Sequence, residues 1–504
     1  MHALFAKRIL LLFCLAVALL SGCRKEELFT DDPGIQLDFS RDTVLFDTIF
    51  TQSPASVIKR FVARNTNARA VRVNISLEGG SPSPYRINVD GVAGTSFSDV
   101  EILGDDSVFV FVEVTLDQNN ASNPFLVEDR VLFSTNGGSP QEVRLMAWGR
   151  DAYYHPGPGE ETYVFGTIPP FHYAAGGFDE NGVQICETIT WLNDKPHVVL
   201  NYAVVDSCST LIIQPGTKIH VHGGGGLWIY RYGRIEAIGT VEQPITFQGD
   251  RLEPFYAELP GQWDRIWINE GNEGSDNHLE NVVIKNSLIG IQAESDPFGV
   301  VGWPLSANKL ILNNVKIRNC SAAGILTRNY RIKSTNLLVG DCGQYGVALT
   351  GDGEYDFNHT TIANYWSYEI RQTPAFIMTN SFNGQTRQIQ NSRFVNGIIW
   401  GANGNEFQLE IAQSEAQDFE FDRYILRTDQ ATNNTQFFPF QDRIYRNSDP
   451  RFADANTRNF DIQSNSPAID QATVIAGDVI SINDIDGSLR CGNGPDLGAY
   501  EYCP

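Results

Sequence analysis

The sequence predicts an all-β protein, and three observations support this fold class. Gly, Asn, Thr and Ser are abundant, whereas the 3.6-residue periodicity of long helices is missing. From Ile35 to about Tyr154, short alternating strands are broken by turns, and beyond residue 200 apolar triplets recur between Gly or Asn corners. Because 504 residues are too many for one core, we expect two or three domains.

The N-terminus has the pattern of an export signal. The apolar run Ile9 to Leu20 follows Lys7-Arg8 and is shorter than the roughly 20 residues that a membrane-spanning helix needs. It ends in Leu20-Ser21-Gly22-Cys23, which resembles the bacterial lipobox. An ordinary signal peptide with an incidental cysteine is the alternative.

The lipobox resemblance implies that residues 1–22 are a signal peptide and that Cys23 carries lipid. Residues 23–34 would then form a polar tether, and the lipid would be the only membrane contact. Lys25-Glu26-Glu27 resembles the signal that sends some Gram-negative lipoproteins to the outer face. We therefore expect an outer-membrane lipoprotein exposed at the cell surface.

The charge balance excludes some partners. The net charge is −23, and removal of residues 1–22 would delete Lys7 and Arg8 but no acid, leaving −25. Nucleic-acid binding depends on Lys and Arg that neutralise phosphates, so we expect no nucleic-acid partner. Binding of an anionic polymer would need calcium or a local basic groove.

Residues 35–154 are predicted to form a β-sandwich. Val71–Ile75 alternates apolar and polar side chains, Val108–Val112 alternates Val with Phe, and Gly79-Gly80 is a breaker between them. Strands at this spacing are typical of an immunoglobulin-like sandwich. The sandwich is predicted to end at His155-Pro156, because proline lacks the ladder donor. Residues 155–199 are predicted to be a linker and N-terminal cap.

Residues 200–440 carry a repeat that predicts a right-handed parallel β-helix. A six-residue motif recurs, with its first position at Asn281, Asn314, Asn336, His359 and Asn391. These starts are 33, 22, 23 and 32 residues apart, which corresponds to one period near 22 residues with two insertions of about ten. Asn or Asp fills the sixth motif position, where stacked amides would bond from coil to coil. The alternative is that Asn simply favours turns. The predicted ladder residues are Asn286, Asn319, Asp341, Asn364 and Asn396.

Six cysteines would remain after loss of Cys14 and lipidation of Cys23, and an even number in an exported chain suggests disulfides. Cys320 and Cys342 each follow a ladder position, so they would stack on coils about 4.8 Å apart, within disulfide reach. Buried free thiols are the alternative. The disulfide candidates are Cys186, Cys208, Cys320, Cys342, Cys491 and Cys503.

Leu211 to Phe247 resembles the start of a pectate-lyase-like β-helix, with Pro215-Gly216-Thr217 at a corner. Gly261-Gln262-Trp263 continues a pattern similar to lipid-anchored β-helix proteins of unassigned activity. The tail, from Ser466-Pro467 to Tyr500-Glu501, is similar to a module that often follows such helices. This resemblance implies that residues 441–504 cover the open end of the solenoid.

No catalytic set emerges from the sequence. Inverting hydrolysis needs two carboxylates, but Asp-Asp pairs occur only at 31–32 and 105–106, outside the predicted helix. A lyase needs a basic residue and often calcium, and the available Arg, Lys and acidic residues show no distinctive spacing. His220 and His222 share a strand face without a further metal ligand. We expect no resident metal or cofactor, with calcium as an open alternative.

The aromatic residues indicate a binding surface, because outward rings can stack on sugars. Core or corner packing is the alternative. Our main hypothesis is a surface lipoprotein that binds a glycan or another surface protein without catalysis. The alternatives are a polysaccharide lyase or glycoside hydrolase, and a structural adhesin or spacer. The candidate ligand-binding residues are Trp263, Trp267, Arg251, Arg265, Tyr365 and Trp366.

Overall fold

The computed structural model describes residues 29–51, 58–119, 123–135, 138–157, 159–298, 302–412 and 416–504. The chain divides between Arg150 and Asp151 into two compact units. The predicted signal peptide and Cys23 lie outside the described residues. Within the described ranges, no helix is long and apolar enough to cross a membrane.

The first unit is a β-sandwich. Its described residues form two five-stranded sheets, of order β1-β3-β8-β5-β6 and β2-β10-β9-β4-β7. Alternate residues of β8 are buried, and both sheets contribute to one apolar core. All neighbours pair antiparallel except β2 and β10, which are parallel. The strands are β1 Asp38–Phe39, β2 Thr43–Phe50, β3 Lys59–Arg64, β4 Val71–Leu77, β5 Tyr85–Val89, β6 Val92–Gly94, β7 Ser96–Ile102, β8 Ser107–Val114, β9 Phe125–Thr135 and β10 Gln141–Arg150.

The second unit is a parallel β-helix, as the repeat predicts. Within the described residues, 21 strands form one continuous sheet in which each early strand pairs parallel with the third strand after it. They are β11 Tyr153–His155, β12 Phe171–Ala175, β13 Thr188–Trp191, β14 His197–Val199, β15 Tyr202–Val205, β16 Thr210–Ile213, β17 Lys218–Val221, β18 Gly226–Ile229, β19 Arg234–Ile238, β20 Ile245–Gly249, β21 Ile266–Ile268, β22 Asn277–Lys285, β23 Ile289–Glu294, β24 Lys309–Arg318, β25 Ala323–Gly340, β26 Tyr345–Asn364, β27 Phe376–Thr379, β30 Ser392–Gly401, β31 Phe407–Glu410, β32 Phe419–Leu426 and β33 Ile444–Arg446.

The strands stack on three faces. Face 1 begins with β11, β14, β17 and β20, face 2 with β12, β15, β18 and β21, and face 3 with β13, β16 and β19. Strands β22, β24, β25, β26, β30 and β32 turn corners and continue more than one face. Parallel pairing already starts at Tyr153–His155, within the segment where the sequence predicted a sandwich end, linker and cap.

The remaining regular elements are short. Two hairpins, β28 Ser381–Phe382 with β29 Gln385–Thr386 and β34 Phe452–Asp454 with β35 Asn459–Ile462, lie outside the large sheet. The described residues also contain 3-10 helices at Pro254–Tyr256, Gln441–Arg443, Ala455–Thr457 and Ile480–Ile482.

A column of left-handed residues forms the corner between faces 3 and 1. Asn281, Asn314 and Asn336 are in register, with φ of 51°, 52° and 54°, a region that Asn tolerates better than most residues. Asn336 Nδ2 donates to Asn314 Oδ1 at 2.9 Å, and Asn314 Nδ2 donates to Asn281 Oδ1 at 3.3 Å. Stacked amides therefore hold this corner, at the first motif position.

The predicted ladder at the sixth position is only partly correct. Asn286, Asn319, Asp341 and Asn364 do stack in register, and Asn319 Nδ2 donates to Asn286 Oδ1 at 2.7 Å. The structure contradicts the placement of Asn396. Its neighbours Val395 and Ile398 pair with Asn358 and Thr361, so Asn396 stacks in the first-position column. The fifth motif was misaligned because its apolar residues continue face 3 before the corner.

The cysteines also give a mixed outcome. Cys186 is bonded to Cys208, and Cys491 to Cys503. Cys320 and Cys342 lie in register, but they are buried free thiols within the described core, so the predicted bond between them is wrong. Ser287 Oγ donates to Cys320 Sγ at 3.2 Å, and each thiol also contacts the carbonyl two residues earlier, at 3.7 Å for Cys320 and 3.6 Å for Cys342.

The C-terminal segment covers a side of the solenoid. Phe460, Leu497 and Tyr500 pack with Leu338 and Ile398 of face 1. Further bonds connect the segment to the corners, and in one of them Arg458 Nε donates to Asp341 Oδ2 at 2.8 Å. Because these contacts lie along face 1, they differ from the cap over the open end that the sequence predicted.

Imidazole and indole rings fill the inside of the first coils. His155 stacks on Trp191 with 4.4 Å between ring centroids, and on His197 with 5.2 Å. His172 is buried, and neither of its ring nitrogens has a hydrogen-bond partner among the described residues. Burial lowers the pKa of His172 and of His197 to about 4.

We predict that Asn336→Ala destabilises the β-helix by about 2–4 kcal/mol. Alanine is disfavoured at φ of 54°. The side-chain carbonyl of Asn314 and the backbone carbonyl of Asn483 would also lose their amide donor. Asn336→Gly should cost less, since glycine tolerates this φ. Urea unfolding measures the change, with the exposed Asn433→Ala as control. Equal midpoints for Asn336→Ala and the wild type would contradict this role.

We predict that acidification from pH 6.5 toward pH 4 destabilises the second unit through its buried histidines. Because the folded pKa of His172 is about 4 against 6.5 unfolded, the unfolded chain binds more protons in this window. The shift is equivalent to a loss of at most about 3 kcal/mol, which His172→Phe should remove.

Unfolding midpoints at several pH values test this prediction. His222→Phe is the control with the opposite sign, because a hydrogen bond to Asp250 raises the pKa of His222 and stabilises the fold below pH 6.5. Below pH 6.5 the fall should therefore be shallower in His172→Phe and close to the wild type in His222→Phe. His222→Phe should instead lose the gain in stability that the wild-type His222 gives as the pH falls toward 6.5. Identical profiles would refute the assignment.

Candidate functional site

The outer side of face 2 carries a column of in-register side chains. Parallel pairing aligns Trp228 with Trp267, Trp267 with Gln292, and Gln292 with Leu326. Two residues further along the strands, Glu294, Arg328 and Thr350 are also in register. Because alternate residues of a strand point to the same side, these two columns lie next to each other.

Loops beside this face complete a cavity of about 470 Å³, which we call the axial groove. The β28–β29 hairpin places the Phe382 ring 4.7 Å from the Arg328 guanidinium carbon. The groove is therefore mixed in character, with rings and aliphatic carbon beside charged and amide groups. It is lined by Arg265, Trp267, Gln292, Glu294, Pro297, Phe298, Leu326, Thr327, Arg328, Thr350 and Phe382.

Trp267, which lines the groove, is stacked on the indole of Trp228, which lies outside it. The rings of Trp228 and Trp267 are nearly parallel, at 12°, with centroids 4.5 Å apart. Trp228 Nε1 donates to Asn269 Oδ1 at 2.7 Å, and Trp267 Nε1 donates to Glu294 Oε1 at 2.6 Å. Each indole is consequently held at its N–H edge by a buried polar partner.

Glu294 connects the polar groups of the groove. Its side chain is almost fully buried, and its Oε1 accepts from Gln292 Nε2 at 2.7 Å as well as from Trp267. The Arg328 guanidinium donates to its other carboxylate oxygen. Burial raises the pKa of Glu294, whereas the charge of Arg328 and these hydrogen bonds oppose the rise. Glu294 thereby orients three side chains that face the groove.

The second guanidinium of the groove is also paired. Arg265 Nη2 lies 2.8 Å from Asp264 Oδ1, and its Nη1 donates to Gln292 Oε1. Tyr202 donates its hydroxyl to the other oxygen of Asp264, and burial raises the pKa of that phenol. Charges of both signs are therefore balanced along the groove, so it presents donors without a strong net charge.

The structure brings together only two of the candidate residues, Trp267 and Arg265. Trp263 is 1% exposed, belongs to the core and donates Nε1 to Lys285 O at 2.9 Å, so it is not available to a ligand. It forms an isolated bridge with Ser287 outside the named strands, so strand alternation did not reveal its inward position.

The other three candidates lie apart from the groove. Arg251 pairs with Glu253 at 2.6 Å. Tyr365 packs with the C-terminal segment, stacking on Phe460 with 6.1 Å between centroids. Trp366 contacts Tyr368, with centroids 4.9 Å apart. Their position near repeats in the sequence therefore did not predict a place on face 2.

Sequence reasoning missed most of the groove. Gln292 and Glu294 alternate with the buried Ile291 and Ala293, a period-2 signal that could have marked them as outward residues. Phe382 comes from a short hairpin that carries no repeat signal. Its position depends on tertiary packing.

The described residues contain no group of three or more His, Cys, Asp or Glu side chains that could hold a metal ion. His222 Nδ1 is 2.6 Å from Asp250 Oδ2, while His220 Nδ1 is 3.1 Å from Gly249 O. Residues 484–487 form a turn, since Asp484 Oδ1 accepts the backbone N–H groups of Asp486 and Ser488.

No family model matches the chain, and no curated protein matches it. Two solved structures overlap small parts of it. One is a family 123 glycoside hydrolase from Clostridium perfringens, at 11% identity and TM-score 0.17, covering 22% of this chain and 23% of that one. The other is the E. coli chaperone DraB, at 13% identity and TM-score 0.17, covering 23% of this chain and 55% of that one. The chain thus spans less than two thirds of either structure. The class of this protein is given by its own fold, a β-sandwich followed by a parallel β-helix.

Proposed function

We propose that this protein binds an extracellular glycan in the axial groove without chemically altering it. The observation that carries the proposal is the combination of Trp267, Leu326 and Phe382 with the hydrogen-bonding groups of Arg265 and Arg328 in one cavity. A sugar ring has apolar faces and a rim of hydroxyl groups, so it needs both kinds of contact. The paired charges favour a neutral or weakly charged glycan over a polyanion.

Preorganisation supports binding in this groove. Glu294 holds the Trp267 indole, the Gln292 amide and the Arg328 guanidinium through hydrogen bonds. Side chains that are already fixed lose less rotamer entropy when a ligand arrives, at about 0.5–1.5 kcal/mol each.

The same network argues against catalysis as the main function. Both carboxylate oxygens of Glu294 accept hydrogen bonds, and the guanidiniums of Arg265 and Arg328 are ion-paired with acids. A base or acid for lyase or hydrolase chemistry would have to leave these partners. The enzymatic alternative is a polysaccharide lyase or glycoside hydrolase. The structural alternative is an adhesin or spacer. A further alternative is that the partner is another surface protein instead of a glycan.

We further propose that the protein is an outer-membrane lipoprotein anchored through Cys23. The Leu20–Cys23 motif and the following Lys25-Glu26-Glu27 support this location. In this proposal the solenoid is right-handed and pectate-lyase-like, since nearly all parallel crossover connections are right-handed. Its groove would face extracellular polymers.

We predict that Trp267→Ala reduces affinity for a glycan selected on an array by at least tenfold. Removal of the indole takes away a large apolar contact and leaves the Glu294 carboxylate without one donor. Calorimetry with the selected glycan measures the loss. Trp148→Ala is the matched control, because that indole is exposed in the first unit and should not affect binding.

Unchanged affinity in Trp267→Ala would contradict the groove as the binding site. The enzymatic alternative is tested in parallel by incubating the protein with the glycan panel, with and without calcium. New unsaturated or reducing ends would replace our proposal with a lyase or hydrolase. Absence of binding to every glycan would favour a protein partner or a spacer.

A further inference from the structure

A second cavity, of about 370 Å³, lies on the first coils of face 2, and we call it the aromatic pocket. Tyr173 and Phe178 meet edge to face with 6.5 Å between centroids, and Trp228 and Tyr230 do so at 5.3 Å. The pocket is lined by Phe165, Ile168, Phe171, Tyr173, Phe178, Gln184, Val204, Asp206, Ser207, Trp228, Tyr230 and Phe298.

Asp206 is the acidic group in this wall. Its residue is only 5% exposed, and its Oδ2 has no hydrogen-bond partner among the described residues. None of the described side chains that line the pocket is Lys, Arg or His. A buried carboxylate without a cation is costly, so it is a site where a positive ligand would gain free energy.

We propose that the aromatic pocket binds a small organic cation, such as a quaternary ammonium group, between the aromatic rings and the Asp206 carboxylate. A cation near the face of Trp or Tyr is attracted by the ring quadrupole, and the attraction grows when water is excluded. The volume suits a small ligand. The net charge of −23 also raises the local concentration of cations.

Burial raises the pKa of Asp206, while backbone N–H groups of Ser207 and Gly177 and the side-chain amide of Gln184 oppose the rise. A bound cation would favour the ionised carboxylate and therefore lower this pKa. The inference does not depend on glycan binding, because it uses a different cavity and a different ligand chemistry.

Calorimetry on the full-length chain tests the proposal with choline and with 3,3-dimethylbutan-1-ol, which has carbon in place of the quaternary nitrogen. Choline should bind saturably, with a Kd at least tenfold lower than that of the neutral alcohol. Asp206→Asn should weaken choline binding at least tenfold and change alcohol binding by less than twofold. The exposed Asp429→Asn is the matched control and should bind choline like the wild type.

A second pair of variants tests the rings without removing the carboxylate. Tyr230→Phe keeps an aromatic face and should retain choline affinity within twofold, whereas Tyr230→Leu should lose at least threefold. The proposal is overturned if choline and the alcohol bind equally or choline shows no saturable binding. It is also overturned if Tyr230→Leu binds choline as well as Tyr230→Phe does. Glycan binding in any of these variants reports separately on the axial groove.

Discussion

In-register stacking of parallel coils is the constraint on which the second unit depends. Each residue lies above its equivalent at the strand spacing of about 4.8 Å, so the side chains of one column contact each other from coil to coil. The corner column of Asn281, Asn314 and Asn336 fixes this register, because its residues share a left-handed φ and their amides bond from coil to coil. A one-residue slip would break this column and turn every strand inside out.

The sequence predicted the features that repeat and missed those that depend on long-range packing. Four ladder residues stack as predicted because their motifs share one spacing, whereas Asn396 was misplaced because a matching apolar pattern recurs five residues early. The register predicted that Cys320 lies beside Cys342, but it could not predict which partners the two thiols would contact. Trp267 and Arg265 were found as groove residues, while Phe382 comes from a hairpin with no periodic signal.

Insertions at the corners turn the outer side of face 2 into a groove. The regular strands supply two outward columns, and these alone would form a flat surface open to water. The β28–β29 hairpin and the loop at Phe298 add walls, which convert the columns into a groove. Coverage differs on face 1, where the C-terminal segment packs on Leu338 and Ile398. One face therefore stabilises the solenoid and another remains available to ligands.

The stacked indoles of Trp228 and Trp267 line two neighbouring cavities, the aromatic pocket and the axial groove, which differ in how their charged groups are paired. On the Trp267 side, Glu294 and Arg328 neutralise each other, and donors such as Gln292 are already oriented. On the Trp228 side, Asp206 is buried among rings, and the described residues that line the pocket include no cationic side chain. Pairing charges creates hydrogen-bonding sites with little net field, whereas leaving one charge unpaired creates selectivity for the opposite sign. The two proposed ligands, a glycan and a small organic cation, therefore differ in the chemistry that each cavity asks of them.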